Sequence, residues 1–68
     1  MAEFYIDTTA QSNGEYIVHN ASCTLLPPKE SRRYLGSIAS CNSALKKAAE
    51  MFKPVNACPQ CASACHTA

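Results

Sequence analysis

The sequence predicts a small α+β domain: a β-hairpin and a third short strand packed on one helix, with a Cys-x-x-Cys knuckle at the C-terminal end. Three observations carry that prediction. Two stretches of alternating polarity flank Asn13-Gly14, a run with helical spacing follows Ser40, and four Cys and His side chains fall into two short-spaced pairs around the third strand and the helix.

The hairpin comes first. Phe4 to Asp7 and Glu15 to His19 each alternate apolar and polar residues, the period of a half-buried strand, and Asn13-Gly14 between them tolerates the positive φ of a tight turn. Phe4 and Ile6 then face one side, with Tyr16 and either Val18 or Ile17 opposite them, depending on register. From Asn20 to Arg33 the chain has no period and carries Pro27-Pro28 and a charged run, which reads as loop. Tyr34-Leu35-Gly36-Ser37-Ile38 has the length and the aromatic and β-branched content of a strand, with Gly36 permitting a bend.

Ser40 is suited to cap a helix through its hydroxyl. Cys41, Leu45, Ala48, Ala49 and Phe52 follow with the spacing of one buried face, while Lys46, Lys47, Glu50 and Lys53 take the wet side. Pro54 forbids continuation, so the spacing predicts a helix over 41–53. Beyond the knuckle Cys58-Pro59-Gln60-Cys61, small residues suggest a short terminal helix.

At 68 residues the chain is one domain, 1–68, because so short a chain buries too little apolar surface for two cores. Apolar burial in a domain this small only roughly cancels the entropy of ordering it, so a covalent or metal staple is expected. Five cysteines and two histidines are available. The start of the chain has no basic, apolar leader and nothing reaches the length of a membrane span, which suggests a cytoplasmic protein with no membrane partner. Thiols stay reduced there, and an odd cysteine count leaves one unpaired in any disulfide scheme, so metal is favoured over bridges.

Tetrahedral zinc sites use thiolates and imidazoles, arranged as two short-spaced pairs drawn together from distant segments. His19-x-x-x-Cys23 and Cys58-x-x-Cys61 have that form, and the intervening residues supply a strand and a helix. The expected ligands of Zn2+ are therefore His19, Cys23, Cys58 and Cys61. Zinc at such a site contributes roughly 10 to 16 kcal/mol in zinc-finger peptides, more than the whole stability of a typical domain. Cys-x-x-Cys also marks thiol redox centres, but the strand-helix-strand setting of those centres is absent and a matching second pair is present. Cys41 reads as a small hydrophobe on the helix face. Cys65, four residues after Cys61, is the competitor to His19 for the fourth position, with His66 beside it.

Net charge is +1, and Lys29, Arg32, Arg33, Lys46, Lys47 and Lys53 are spread along the chain, so composition does not single out nucleic acid as the partner. No residue is placed to act as a base beside one chosen cysteine, and a closed tetrad has no position for substrate, so no enzyme is expected.

The segment Tyr16-Ile17-Val18-His19-Asn20-Ala21-Ser22-Cys23, the strand and helix that follow, and Cys58-Pro59-Gln60-Cys61 resemble the zinc-binding domain of bacterial Ada-type DNA methylation-repair proteins, over roughly residues 15–62. The resemblance implies a treble-clef-like zinc fold and contact with DNA. In the repair proteins the position of His19 is a cysteine that accepts a methyl group from DNA phosphate. Histidine there implies that the fold and metal are kept without the acceptor. The chain is also similar, nearly end to end, to a group of short uncharacterised bacterial Cys/His proteins that share Asn13-Gly14, the His19/Cys23 pair, Leu35-Gly36, Cys41 and the knuckle with Cys65-His66. The expectation is a structural-zinc binding module that contacts DNA or a protein. The alternative is a thiol-based redox or metal-responsive protein that uses the cysteines outside the tetrad.

Overall fold

The computed structural model describes residues 2–66. Strand β1 spans Ala2–Asp7, β2 Tyr16–Asn20, β3 Arg32–Ile38 and β4 Val55–Ala57, and the helix α1 spans Cys41–Ala49. Two 3-10 turns, Lys29–Ser31 and Ser63–Cys65, complete the order of elements. The strands form one sheet in the order β3-β1-β2-β4, antiparallel except for the parallel pair β2 and β4. The result is the expected small α+β domain of treble-clef type, with hairpin and third strand packed on one helix and the knuckle at the C-terminal end.

Register settles the face of β2. Ile6 pairs with Val18 and Phe4 with Asn20, so Val18, not Ile17, joins Phe4 and Ile6 beneath the helix. Ile17 and His19 point to the opposite face by the two-residue period of a strand. There Ile17 packs with Cys23 and Cys58 in a second, smaller cluster.

The hairpin turn is less tight than Asn13-Gly14 suggests. Gly14 alone of the two takes positive φ, at 88°, and a four-residue turn closed by Gly14 N–H on the Gln11 carbonyl (2.8 Å) sits inside a longer connection. In β3 the pairing slips between Phe4↔Gly36 and Tyr5↔Tyr34, which leaves Leu35 as the extra residue of a bulge. Alternation from the outward Tyr34 puts Leu35 in the main core, where it is 2% exposed; the bulge brings Ile38 to that same side, and Gly36 takes φ 129°, a region that favours glycine.

The helix starts as expected, with Ser40 Oγ accepting from Ser43 N–H at 3.2 Å. It ends at Ala49 instead of Lys53. Met51 N–H and Phe52 N–H both return to the Ala48 carbonyl, a tightened last turn that swings the chain back toward the sheet. Phe52 then packs its ring on Tyr16, centroids 4.7 Å apart, and the Pro54 carbonyl accepts from Tyr16 N–H at 2.9 Å. Ala44 and Ala48 are fully buried at the centre of the helix face, with Cys41, Leu45 and Phe52 at its margins. Two alanines there let the helix lie close on the sheet.

Strand β4 is the element that periodicity did not disclose. Three residues are too few for alternation to be visible, and Val55 to Ala57 become a strand only because β2 offers a free edge. The expected terminal helix is a single 3-10 turn. Among the described residues no helix is long and apolar enough to cross a membrane.

Because Leu35 is buried on the core face and its neighbour Tyr34 is 53% exposed, the two should differ sharply under truncation. Leu35→Ala is expected to cost about 3 kcal/mol of stability. Tyr34→Ala is expected to cost about 1 kcal/mol, the value of a surface ring contact. Urea denaturation of the chain measures both, and equal costs would contradict the burial of Leu35.

Candidate metal centre

The knuckle and the end of β2 meet because β4 lies parallel to β2 and delivers Cys58 directly after its last paired residue. Ala57 is opposite Val18, and Cys58 N–H donates to the Val18 carbonyl at 2.9 Å. On the other side, Cys23 N–H donates to the Asn20 carbonyl at 3.1 Å, a turn that folds the first pair back on itself. His19, Cys23, Cys58 and Cys61 thereby converge, each offering one ligand atom, with all four atoms within 4.8 Å of one another. No second cluster of this kind occurs among the described residues.

The separations have the size of a tetrahedral centre. Metal–sulfur bonds of about 2.3 Å and metal–nitrogen bonds of about 2.0 Å give sulfur–sulfur edges of about 3.8 Å and sulfur–nitrogen edges of about 3.5 Å. Cys23 Sγ lies 3.7 Å from Cys58 Sγ and 3.5 Å from His19 Nδ1. Nδ1 is thus the imidazole nitrogen that faces the thiols.

Asn20 holds the two halves together. Its backbone N–H donates to Cys61 Sγ at 3.4 Å and its Nδ2 to the Cys61 carbonyl at 3.2 Å. Its Oδ1 accepts from the Ser22 backbone and hydroxyl, at 3.0 and 2.9 Å. The only signal for this residue in the sequence is its place between His19 and Cys23, and polarity alone does not separate a clamp from a surface asparagine.

The site's titration is uneven. Burial holds the His19 imidazole below its ordinary range, against the opposing pull of the Asp7 carboxylate. Neutral imidazole is the form that can ligate. Burial pushes the Cys58 thiol upward, but the backbone N–H groups of Cys61 and Gln60 and the thiols of Cys23 and Cys61 outweigh it, so its pKa falls. Cys61 is pushed up to about 12, first by burial and then, against the Asn20 N–H, by the Cys23 and Cys58 sulfurs. Without a cation the cluster therefore favours ionisation at Cys58 and keeps the proton on Cys61. A divalent ion held there would offset the repulsion between the thiolates and let Cys61 ionise as well.

Two openings flank the cluster. A recess of about 260 Å³ lined by Asn20, Ser22, Cys23, Thr24, Gln60 and Cys61 offers an entry path for an ion. A cleft of about 390 Å³ reaches His19 from the other side, past Asp7, Glu15 and Leu25.

The other sequence candidates lie elsewhere. Cys65 is bonded to Cys41 in a disulfide, Cα atoms 6.2 Å apart, so Cys65 does not compete with His19 and Cys41 is not the free hydrophobe its helical position suggests. His66 Nδ1 lies 2.8 Å from the Ala57 carbonyl and takes no part in the cluster. The expected choice between metal and bridge is also corrected: three free thiols gather with His19 while the remaining two pair in a bridge. Spacing could not show the bridge, because α1 and the last 3-10 turn meet only after β4 reverses the chain.

Compared with protein families, curated proteins and solved structures, the chain matches none.

Loading this cluster at neutral pH must displace the Cys61 proton and others. Affinity is expected to fall by more than ~1 log unit per pH unit as pH drops, since thiolates reprotonate and His19 charges. Calorimetry in buffers of differing ionisation enthalpy counts the protons released, and a count of zero would contradict the cluster as the binding site.

Proposed function

We propose that the chain is a small structural-zinc binding module in which His19 Nδ1 and the sulfurs of Cys23, Cys58 and Cys61 hold one Zn2+. The tetrahedral spacing of 3.5 and 3.7 Å around Cys23 Sγ is the observation that carries this reading. Zinc supplies the charge that lets three thiolates share one small space, and the chain supplies the N–H donors that orient them. Cys58 receives the N–H groups of Gln60 and Cys61, and Cys61 receives that of Asn20. Four protein ligands leave no coordination position for water or substrate, so the metal holds the fold and the module is not an enzyme.

The residue pattern shared with Ada-type repair domains supports the same reading, and histidine in the place of their acceptor cysteine supports a module that binds without methyl transfer. Its work is then contact. On the outer sheet face Tyr5 and Tyr34 pack with ring centroids 5.3 Å apart, and the Arg32 guanidinium lies 4.8 Å over the Tyr5 ring. Arg32 also donates to the Pro27 carbonyl at 3.1 Å, and the Tyr34 hydroxyl donates to the Glu3 carboxylate. With the arginine engaged, an acid beside the exposed ring and a net charge of +1, the face suits a protein partner better than DNA phosphates.

Metal analysis of the purified chain is expected to return one zinc per molecule, and cobalt substitution to give the absorption of a tetrahedral thiolate site. Cys58→Ser and Cys61→Ser should abolish high-affinity binding and His19→Ala should weaken it. Full folding in strong chelator, followed by circular dichroism, would refute the zinc reading. Salt-dependent retardation of a DNA duplex would move the partner from protein to nucleic acid.

A further inference from the structure

We infer that Cys41 and Cys65 form a reversible thiol–disulfide exchange site, worked by a small-molecule thiol/disulfide couple such as glutathione, that sets how tightly the tetrad holds its metal. The proposal rests on the metal reading of His19, Cys23, Cys58 and Cys61.

Position separates this pair from the other three cysteines. Cys23, Cys58 and the half-buried Cys61 are gathered in the cluster, whereas Cys41 and Cys65 lie outside it, both half-buried at the surface and within reach of a small thiol. Cys41 is the first residue of α1, directly after the Ser40 cap. The aligned peptide dipoles at a helix N-terminus favour negative charge on a departing sulfur, which suits Cys41 to the leaving role. A thiolate RS⁻ attacks Cys65 Sγ, forming an R–S–S–Cys65 mixed disulfide and releasing the Cys41 thiolate, which takes up a proton. A second RS⁻ attacks the R sulfur, giving RSSR and the Cys65 thiolate, which is also protonated. In sum, two RSH and the bridge become RSSR and two protein thiols. Two electrons pass from the small thiol to the bridge, and the reverse sequence rebuilds it.

The bridge bears on the metal through the backbone. Ala62 N–H donates to the Cys58 carbonyl at 2.9 Å and Cys65 N–H to the Ala62 carbonyl at 3.0 Å, so the bridged residue is linked by two hydrogen bonds to a ligand. The loop it closes, between cysteines 24 positions apart, contains α1, β4 and both knuckle ligands. Closing a loop of this length favours the folded, metal-competent chain by on the order of a hundredfold in the metal-free protein. Apparent metal affinity rises by the same factor, because it scales with the competent fraction. Linkage is reciprocal, so zinc should make the bridge about a hundredfold harder to reduce, a potential shift of about 60 mV.

The test measures zinc affinity of the full chain by competition with a chromophoric chelator, in reduced and in oxidised glutathione. Differential alkylation and mass spectrometry report the state of Cys41 and Cys65 in the same samples. Oxidised chain is expected to bind zinc about a hundredfold more tightly than reduced chain. The Cys41→Ser/Cys65→Ser variant should match the reduced wild type and ignore the glutathione poise. Equal affinity in the two states, with alkylation showing the bridge formed and broken, overturns the coupling while leaving the zinc site standing. Two free thiols at Cys41 and Cys65 in oxidised glutathione overturn the exchange site itself. Absence of zinc binding in both states, with the bridge present, refutes the metal reading and the coupling with it. The wild-type comparison needs no substitution, so poor folding of the variant does not decide the outcome.

Discussion

Five residues, Tyr16–Asn20, hold the two halves of this domain to each other. Strand β2 lies between β1 and β4, and its two-residue period sends Val18 into the core under the helix while Ile17 and His19 line the thiol cluster on the opposite face. A slip of one residue would put a histidine among Phe4, Ile6 and Leu35 and withdraw the imidazole from the cysteines. The register Ile6↔Val18 is therefore at once a packing requirement and a metal-site requirement. Neither core is large. Each relies on the other to keep β2 in place.

The thiol cluster has the opposite character to the apolar core, because its members repel one another when ionised. Cys61 illustrates the conflict: burial and two neighbouring sulfurs push its pKa up to about 12. Backbone N–H groups from Gln60, Cys61 and Asn20 favour negative charge on sulfur, but they cannot neutralise three thiolates. A divalent cation bound there would do so, and would turn a repulsive group into a local constraint. The clamp made by Asn20 lies at the junction of these effects, since the same residue continues β2, orders the turn to Cys23 and bonds the knuckle.

The connection from helix to knuckle is the other decisive segment. After Ala49 the chain tightens, packs Phe52 on Tyr16 and enters β4 beside β2. That return path presents Cys58 to the tetrad and, one 3-10 turn later, Cys65 to the start of α1. One topological feature thus serves both the cysteines that gather with His19 and the two that pair.

Much of this was legible in the sequence by itself: the α+β class, the hairpin, the capped helix and the two Cys/His pairs that converge, because each is written in local spacing. Alternation marks a strand, Ser40 marks a helix start, and Cys58-x-x-Cys61 turns two side chains toward one point whatever surrounds it. The tertiary structure alone decided what depends on elements distant in the chain. Val55 to Ala57 become a strand only against the free edge of β2, Ile38 turns to the core side only through the bulge in β3, and Cys65 meets Cys41 only where the returning chain passes the helix. Local spacing records what a segment can do with its own neighbours, whereas register, edge pairing and the choice of sulfur partner depend on which other segments arrive beside it.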